Sequence, residues 1–319
     1  MIEYRSFRNT DPPLISAIWS AQAPMRGLIP AARPNFLAEH VFGKPYFDRQ
    51  GFILALLEGK AIGFAHASFG PTPSGDGLDH QRGVVSLIMI DNHPRGTEVA
   101  AGLLDACESY LIERGARRIS AFGHKHLCPF YLGLYGGTQL PGVLADQAPI
   151  LEVFLSAGYQ QHDRTLILHR DLQQGAIPID RSQHLLKRSY DIDAAINPPD
   201  SSWWEAATLG PFARMQFDLL SRATDTVCGQ LFVWDMYPLA QSWNITAAGL
   251  VDMNIEPAHL NLDTTRFFIA EVSRYLYRRS ISLLEVQHSQ RDERAASIFA
   301  DLGFQQVDEA LVLEKSVGP

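Results

Sequence analysis

The stretch that decides the fold is Val84-Val85-Ser86-Leu87-Ile88-Met89-Ile90-Asp91-Asn92-His93-Pro94-Arg95-Gly96-Thr97-Glu98-Val99-Ala100-Ala101-Gly102-Leu103-Leu104. Its apolar run predicts a central strand over residues 84–90, because both faces of such a strand are buried. A polar kink follows, and the spacing of apolar residues then predicts a helix over residues 95–114. A strand that leads into a helix in this way directs backbone N–H groups at one point, and that point suits an anionic phosphate.

Composition limits the classes of protein that this chain can belong to. It has 319 residues, 46% hydrophobic and 19% charged, which favours two packed domains over a disordered chain. The net charge of −8 disfavours nucleic acid or an anionic membrane as the main partner. Three unevenly spaced cysteines fit a reducing compartment, and no apolar run resembles a signal peptide or a membrane span. We therefore expect a cytoplasmic protein, while the oligomeric state stays open.

The order of predicted elements occurs twice along the chain. In each half a hairpin signal is followed by an apolar strand, a helix, a strand, and a short helix closed by Gly-Tyr or Gly-Phe. The strands are predicted at 2–7, 52–57, 61–69, 84–90, 117–122, 165–169, 215–220, 227–236, 247–255, 281–287 and 310–314, and residues 71–82 are predicted to form a polar loop. Residues 123–148 are an insertion in the first half. An internal duplication is the organisation that this pattern favours.

This succession resembles the GCN5-related N-acetyltransferase (GNAT) superfamily, and because it appears twice the chain is similar to a tandem GNAT protein. The resemblance implies the α/β class (an α+β mixed sheet), with two tandem domains that each have a mixed central sheet flanked by helices. The N-terminal domain would cover residues 1–172 and the C-terminal domain residues 183–319, with a polar linker between them. The family signature at the strand–helix junction is Arg/Gln-x-x-Gly-x-Gly/Ala. Arg95 and Ala100 match it here, and Glu98 takes the place of the middle glycine.

The resemblance implies that acetyl-CoA binds at this junction as a cosubstrate, with its pantetheine arm beside the central strand. The backbone N–H near Ile90 would polarise the thioester carbonyl, and Arg95 would add a charge-assisted bond to the pyrophosphate. Glu98 opposes the pyrophosphate unless its side chain turns outward. The residues expected to bind the coenzyme are Met89, Ile90, Arg95, Gly96, Thr97, Glu98, Val99, Ala100, Ala101 and Phe154. The alternative is an ordinary strand–helix turn of an α/β domain.

The second junction differs from the first. It reads Pro257-Ala258-His259-Leu260-Asn261-Leu262-Asp263-Thr264-Thr265 and has the strand-ending proline but no glycine or arginine at the matching place. Asp263 stands where the family has a small residue. We therefore expect the second domain to be degenerate for coenzyme binding.

The proton donor that the family commonly uses has no counterpart here. That donor is a tyrosine of the last helix, which protonates the leaving thiolate, and the matching positions are Phe154 and Phe299. Phenylalanine cannot donate a proton, so the role is vacant at both positions. Without such a donor, the leaving thiolate would take its proton from water.

The insertion offers substitutes for the missing group. His124 could accept the proton of an amine, and His126 would share its face only if the preceding strand continued through both residues. Tyr131 or Tyr135 could donate a proton to the thiolate. The alternative is that the histidines are loop residues and the tyrosines pack a long insertion. A metal site is not expected, because only Cys128 stands near the two histidines.

The function that the resemblance implies is acyl transfer. We expect an N-acetyltransferase that moves an acetyl group from acetyl-CoA to an amine of a small-molecule or peptide acceptor by direct attack. The alternative is a non-catalytic acyl-CoA-binding or regulatory tandem module. The sequence identifies neither the acceptor nor the length of the acyl chain.

Overall fold

The computed structural model describes residues 1–175, 177, 178 and 181–318. Contacts between residues divide the chain into two compact units. Unit 1 consists of Met1–Thr165, Asp200–Pro211 and the chain from Glu309 onward, and unit 2 consists of Leu166–Pro199 and Phe212–Asp308. Residues 176, 179 and 180 of the predicted linker lie outside the described residues. The division into repeats at residues 172–183 stays a prediction.

The described strands are, in chain order, β1 (Ile2–Ser6), β2 (Phe52–Leu57), β3 (Lys60–Pro71), β4 (Leu78–Ile90), β5 (Arg118–Ala121), β6 (Val143–Leu144), β7 (Gln160–Asp171), β8 (Tyr190–Ile196), β9 (Arg214–Ser221), β10 (Thr226–Asp235), β11 (Ala247–Ile255), β12 (Leu283–Ser289) and β13 (Gln305–Ser316). The described α-helices are α1 (Pro12–Ser20), α2 (Pro34–Leu37), α3 (Gly96–Glu113), α4 (Ala148–Ser156), α5 (Arg181–Leu186), α6 (Trp203–Leu209), α7 (Tyr237–Ser242), α8 (Leu262–Arg278) and α9 (Glu293–Asp301). A π-helical turn covers Ala38–Phe42 and a 3-10 turn covers Arg49–Gly51.

Unit 1 is built on a mixed sheet with the strand order β1-β2-β3-β4-β5-β13-β7. The pair β4–β5 is parallel, whereas β5 pairs antiparallel with the last part of β13, where Glu314 lies opposite Ser120. Helix α3 packs closely on this sheet, since a Cβ atom at Gly63 would lie 3.2 Å from the side chains of Val99 and Leu103. The mixed sheet flanked by helices confirms the predicted fold class.

Unit 2 repeats this plan with the strand order β7-β12-β11-β10-β9-β8, in which β11–β12 is the parallel pair. The registers of β3–β4 and β10–β11 shift at matching places, which leaves Ser86 and Val251 as the extra residues of two β-bulges. After each central strand the next N–H donates back across the sheet over 2.9 Å, from Asp91 to Ile62 and from Glu256 to Cys228. These equivalences align the two repeats residue by residue.

Several elements differ from the sequence-based predictions. The predicted polar loop 71–82 is wrong for Pro71, which ends β3, and for its last five residues, because β4 begins at Leu78 and pairs there with Pro71. Backbone hydrogen bonds form this ladder whatever the side chains, so a polar stretch such as Leu78–Arg82 can extend a buried strand. The sequence analysis also missed five of the labelled elements, β6, β8, α5, α6 and α7.

Candidate active site

The candidate site of unit 1 begins where β4 and β5 separate. Their parallel pairing runs from Arg82↔Arg118 to Val85↔Ala121, and the Phe122 N–H then donates to the Val85 carbonyl at 2.7 Å. Phe122 has a φ of 58°, which turns the chain away at the end of β5. Strand β4 continues to Ile90, so residues 87–90 extend beyond their pairing with β5, with Leu87, Ile88 and Met89 buried and Ile90 half-buried.

The backbone groups of β4 alternate in direction along this part of the strand. Asp91 donates its N–H to Ile62 of β3, and the groups of an antiparallel strand alternate in direction, so Ile88 and Ile90 direct their N–H and C=O groups away from β3. The Ile90 carbonyl accepts a bond of 3.0 Å from the side-chain amide of Gln22. An extended ligand could pair with this edge as an added strand does. Sequence reasoning missed Gln22, which lies just after α1 and carries no motif.

Helix α3 starts at Gly96 with Arg95 as its N-cap residue, and no side chain caps it. The N–H groups of the first turn have no partner inside a helix. The Arg95 N–H bonds the ring of His93 at 3.1 Å, and the Gly96 N–H bonds the His93 carbonyl at 2.9 Å. A Cβ atom at Gly96 would have only Ile90 near it, at 3.9 Å, so the backbone is open to approach there.

Arg95 and Glu98 form an ion pair at this helix start. The Arg95 Nε donates to Glu98 Oε2 at 2.7 Å, and a second bond joins Nη2 to Oε1. Both side chains are largely solvent-accessible, at 43% and 58% exposed. The hydrogen bond from Arg95 lowers the pKa of the Glu98 carboxyl. The charge of Glu98 is therefore balanced locally, and an incoming anion would compete with Glu98 for Arg95.

The other predicted coenzyme residues divide into two groups. Val99, Ala100, Met89 and Phe154 are buried, so their side chains belong to the core rather than to an open surface. Thr97 and Ala101 are exposed on the first turns of α3, and Ile90 is half-buried. Phe154 packs edge-on against Phe122 and Tyr159, with ring centroids 5.7 Å and 4.9 Å away.

His124 and His126 lie on a tight turn rather than on a continued strand. Strand β5 ends at Ala121, and His124 and Leu127 exchange two backbone bonds of 3.0 Å. His124 is half-buried and His126 is exposed, so the two rings do not share a strand face. Burial lowers the pKa of His124, with a smaller contribution from Lys125. A lowered pKa keeps the imidazole neutral and able to accept a proton at pH 7.

Tyr131 lies in a buried pair with His66. Its hydroxyl is 3.0 Å from His66 Nδ1, and burial lowers the pKa of His66 to about 3, so the ring is neutral. Nε2 of His66 is buried and has no hydrogen-bond partner among the described residues. Opposite His66 lies Leu87, which places the pair beside the separating part of β4. Sequence reasoning missed His66, although it is a titratable residue within the apolar run 61–69.

Tyr135 has a different environment. Its hydroxyl accepts the Leu144 N–H at 2.8 Å and is within hydrogen-bond distance of Gln147 Oε1 and the Gly142 carbonyl, at 2.8 Å and 3.2 Å. These bonds hold the insertion together, so the hydroxyl is already committed to the fold. The structure thus places Tyr131 and Tyr135 in different networks.

A polar group on β5 was not predicted from the sequence. Ser120 donates to Glu314 Oε1 at 3.2 Å, and His162 Nε2 lies 4.0 Å from the other carboxylate oxygen. The charges of Glu314 and Asp163 also act on His124 and oppose the lowering of its pKa. Glu314 reaches this place because the last part of β13 belongs to unit 1. Only the strand order could have revealed this.

In unit 2, a side chain caps the start of the matching helix. The N-cap residue of α8 is Asn261, whose side-chain oxygen accepts the Thr264 N–H at 2.8 Å. Asp263, at the position of Glu98, lies 3.6 Å from Arg266. Both helices carry one acid in the first turn, so the side-chain cap is what differs: the capped start of α8 has fewer free N–H groups for an anion than the uncapped start of α3.

Within the described part of the chain, no helix is long and apolar enough to cross a membrane. In the same residues no group of three or more His, Cys, Asp or Glu side chains is placed to hold a metal ion.

Comparisons with known proteins identify relatives of this arrangement. Residues 22–134 match the acetyltransferase (GNAT) family model. Among solved structures, a GCN5-related N-acetyltransferase from Sphaerobacter thermophilus is 13% identical with a TM-score of 0.65, over 100% of this chain and 96% of that one. A tandem GNAT protein from the clavulanic acid biosynthesis pathway is 14% identical with a TM-score of 0.62, over 100% and 99% of the two chains.

A third structure contains the same fold within a longer protein. It is a GCN5-related glucosamine N-acetyltransferase region of a fungal multi-domain GH3 beta-N-acetylglucosaminidase, 14% identical with a TM-score of 0.67. The match covers 99% of this chain and 38% of that one, so this chain spans well under half of that protein. No curated protein sequence matches the chain. Structural likeness at these identities shows the fold alone.

Proposed function

We propose that unit 1 transfers an acetyl group from acetyl-CoA to an amine, because residues 22–134 match the acetyltransferase (GNAT) family model and the chain has the fold of tandem GNAT structures. The observation that carries the proposal is the end of the β4–β5 pairing after Val85, beyond which Ile88 and Ile90 direct their backbone groups away from β3 and are not paired with β5. Ile90 is half-buried, whereas Ile88 is buried. The start of α3 adds an uncapped helix N-terminus with Arg95 beside it.

The chain's own residues fit the coenzyme in two places. The edge of β4 suits an extended arm that forms amide hydrogen bonds, and the start of α3 suits a pyrophosphate. Gly96, Thr97, Arg95 and Ile90 are the residues that would hold it. When bound, acetyl-CoA supplies an acyl group activated as a thioester. Arg95 must give up its bond to Glu98 to pair with the pyrophosphate, so Glu98 weakens the binding that Arg95 favours.

The protein would assist two proton transfers in this reaction. Within a ternary complex the attacking amine loses a proton, and we assign its acceptance to His124, whose lowered pKa leaves the ring neutral at pH 7. The departing thiolate gains a proton, and Tyr131 with its partner His66 is the candidate donor pair beside Leu87. The Ile90 N–H stabilises the negative charge that develops on the carbonyl oxygen. Tyr135 takes a structural role.

The acceptor is proposed only by class, as a small-molecule or peptide amine. The net charge of −8 supports a cationic acceptor and argues against nucleic acid and anionic membranes. Three free, buried cysteines support a reducing, cytoplasmic location. The second candidate function is a coenzyme-binding module without catalysis, which the buried, hydroxyl-free Phe154 favours.

Acetyl-CoA binding followed by a thiol-release assay tests the proposal. The intact chain is titrated with acetyl-CoA and then incubated with it and a panel of polyamines, amino acids, aminoglycosides and lysine peptides. Saturable binding with release of free CoA thiol by at least one amine is expected. Binding without release from any amine would favour the non-catalytic module, and absence of binding at millimolar acetyl-CoA would overturn both.

A further inference from the structure

Unit 2 contains a cavity of about 560 Å³ that the proposed function does not use. Its walls include Arg170 on β7, Arg266 on α8, the pair Ile177–Pro178, and Leu302 and Gly303 at the end of α9. A volume of this size is typical of a site for a small organic ligand. Apolar side chains, two guanidinium groups, the Gln183 amide and the Asp301 carboxylate line it together. Because Asp301 is bonded to Arg266, Arg170 is the cation that suits the anionic part of a partly apolar ligand.

The two arginines differ in how their charges are balanced. Arg266 bonds Asp301 and also lies 3.6 Å from Asp263. Among the described residues, Arg170 donates a weak bond of 3.5 Å from Nη1 to the backbone carbonyl of Gly303, which carries no charge. No carboxylate of the described residues forms an ion pair with Arg170, and its buried Nε has no partner there. A half-buried arginine that has no counter-ion among the described residues is desolvated without compensation, and a bound anion would supply that compensation.

The matching place in unit 1 shows what is missing. Strands β7 and β13 have the same length and the same burial pattern, so Arg170 corresponds to Lys315. Lys315 bonds Glu108 of α3 at 2.7 Å. Ser273 of α8 corresponds to Glu108, and its hydroxyl accepts the Ile177 N–H at 3.3 Å. Unit 2 has therefore kept the cation on the strand and lost the acid on the helix.

We propose that this cavity binds a small organic monocarboxylate, whose carboxylate pairs with Arg170 in place of the missing acid. The ligand carries a single negative charge, because Arg266 is already balanced by Asp301. Its apolar part packs against Ile177, Pro178 and Leu302. This site does not depend on the acetyl-transfer function of unit 1.

Calorimetry with benzoate as the probe tests the proposal on the intact chain, with benzamide as the uncharged analogue and sodium chloride to match the ionic strength. We expect saturable binding of one benzoate per chain and at least tenfold weaker binding of benzamide. Arg170→Gln should weaken benzoate binding about tenfold, since a charge-assisted bond is lost. Arg222→Gln is the matched control, because Arg222 is an exposed arginine of the same unit that pairs with Asp191.

A second variant distinguishes loss of the site from loss of folding. Ser273→Asp restores an acid near Arg170 and should also weaken benzoate binding about tenfold, whereas Arg170→Gln removes the cation itself. Acetyl-CoA titration of the same samples reports whether unit 1 is intact. Equal affinity of benzoate for Arg170→Gln and the wild type would overturn the proposal, as would equal affinity for benzoate and benzamide or no saturable benzoate binding.

Discussion

The two units keep the same strand geometry and differ at the start of the helix that follows the central strand. Each has a bulge at the same place, and parallel pairing ends at matching residues, Val85 in unit 1 and Leu250 in unit 2. Helix α3 then begins without a side-chain cap, whereas Asn261 caps α8. The two units thus share a backbone frame, and under the proposed function a few side chains decide which unit presents an open anion site.

The same comparison separates the units in their cores and in their charges. His66 is buried in the sheet of unit 1, and the alignment of the bulges places Phe232 at its counterpart in unit 2. Unit 1 also has the insertion with His124 and Tyr131, which unit 2 lacks. Each of these differences can be tested by a substitution that makes one unit resemble the other.

The largest effect is expected from the insertion. His124→Gln should lower kcat about 100-fold or more, because general-base catalysis contributes roughly this much. Wild-type activity should be lost as pH falls through the lowered pKa of His124, and the variant should lack that acidic limb. The measurement is thiol release against pH with saturating acetyl-CoA and the best amine of the panel.

His126→Gln is the control for this experiment, since His126 is the exposed neighbour on the same turn. It should retain activity within about twofold. If His124→Gln were as active as the wild type, His124 would not be the general base.

The next effect concerns the pH dependence of stability. The folded pKa of His66 is about 3, so below its unfolded value of about 6.5 the unfolded chain binds a proton that the folded chain excludes. Stability of unit 1 should therefore fall as pH drops below about 6.5, by up to about 1.4 kcal/mol per pH unit from this group. The variant His66→Phe introduces the residue type that unit 2 has at the matching position. It should reduce the dependence of stability on pH.

Urea unfolding between pH 7 and pH 4 measures the slope for the wild type, His66→Phe and the exposed-site control His126→Gln. The loss of the Tyr131 partner lowers stability of the Phe variant at every pH, so the slopes are compared and not the absolute values. Equal slopes for all three proteins would show that His66 is accessible to protons in the folded state.

A smaller effect is expected at the first turn of α3. Arg95→Ala should weaken acetyl-CoA binding about tenfold by removing a charge-assisted bond. Glu98→Gln should strengthen it about threefold, because it releases Arg95 and removes a negative charge from the helix start. Calorimetry at constant salt gives both values, with Arg266→Ala and Asp263→Asn as the matched pair in unit 2. Weaker binding by Glu98→Gln would contradict the competition for Arg95.

The smallest effect is expected at the cap of α8. Asn261→Ala should lower the free energy of unfolding of unit 2 by about 1 kcal/mol, the usual contribution of an N-cap side chain. It should leave acetyl-CoA affinity unchanged, because the cap belongs to the copy without the open site. Chemical unfolding and acetyl-CoA titration of one sample measure both. A changed acetyl-CoA affinity would place part of the coenzyme site in unit 2.

Local patterns in the sequence predicted much of this frame. The apolar run over 84–90 and the helical spacing over 95–114 correspond to the inner part of β4 and to α3, since burial on both faces and a helical stripe are properties of a short stretch. The polar start of β4 at Leu78 was missed, because pairing with β3 and not side-chain character makes it a strand.

The rest of the candidate site depends on which strands become neighbours. Ser120 and Glu314 are far apart in sequence and meet because the end of β13 pairs with β5. His66 and Tyr131 meet because the insertion returns over the sheet. A pattern along one stretch of chain carries no information on such pairs, whereas the ion pair of Arg95 with Glu98 lies within one helical turn and follows from the spacing.

Calorimetric titration of acetyl-CoA into the wild type, Gly96→Trp and Asn261→Trp tests the central claim most directly. Gly96 has ordinary backbone geometry and open space for a side chain, so tryptophan there should fold and cover the start of α3. Asn261→Trp makes the matching change in unit 2. The account predicts one acetyl-CoA per wild-type chain, none for Gly96→Trp and one for Asn261→Trp. Two per wild-type chain, or retained binding by Gly96→Trp, would contradict it.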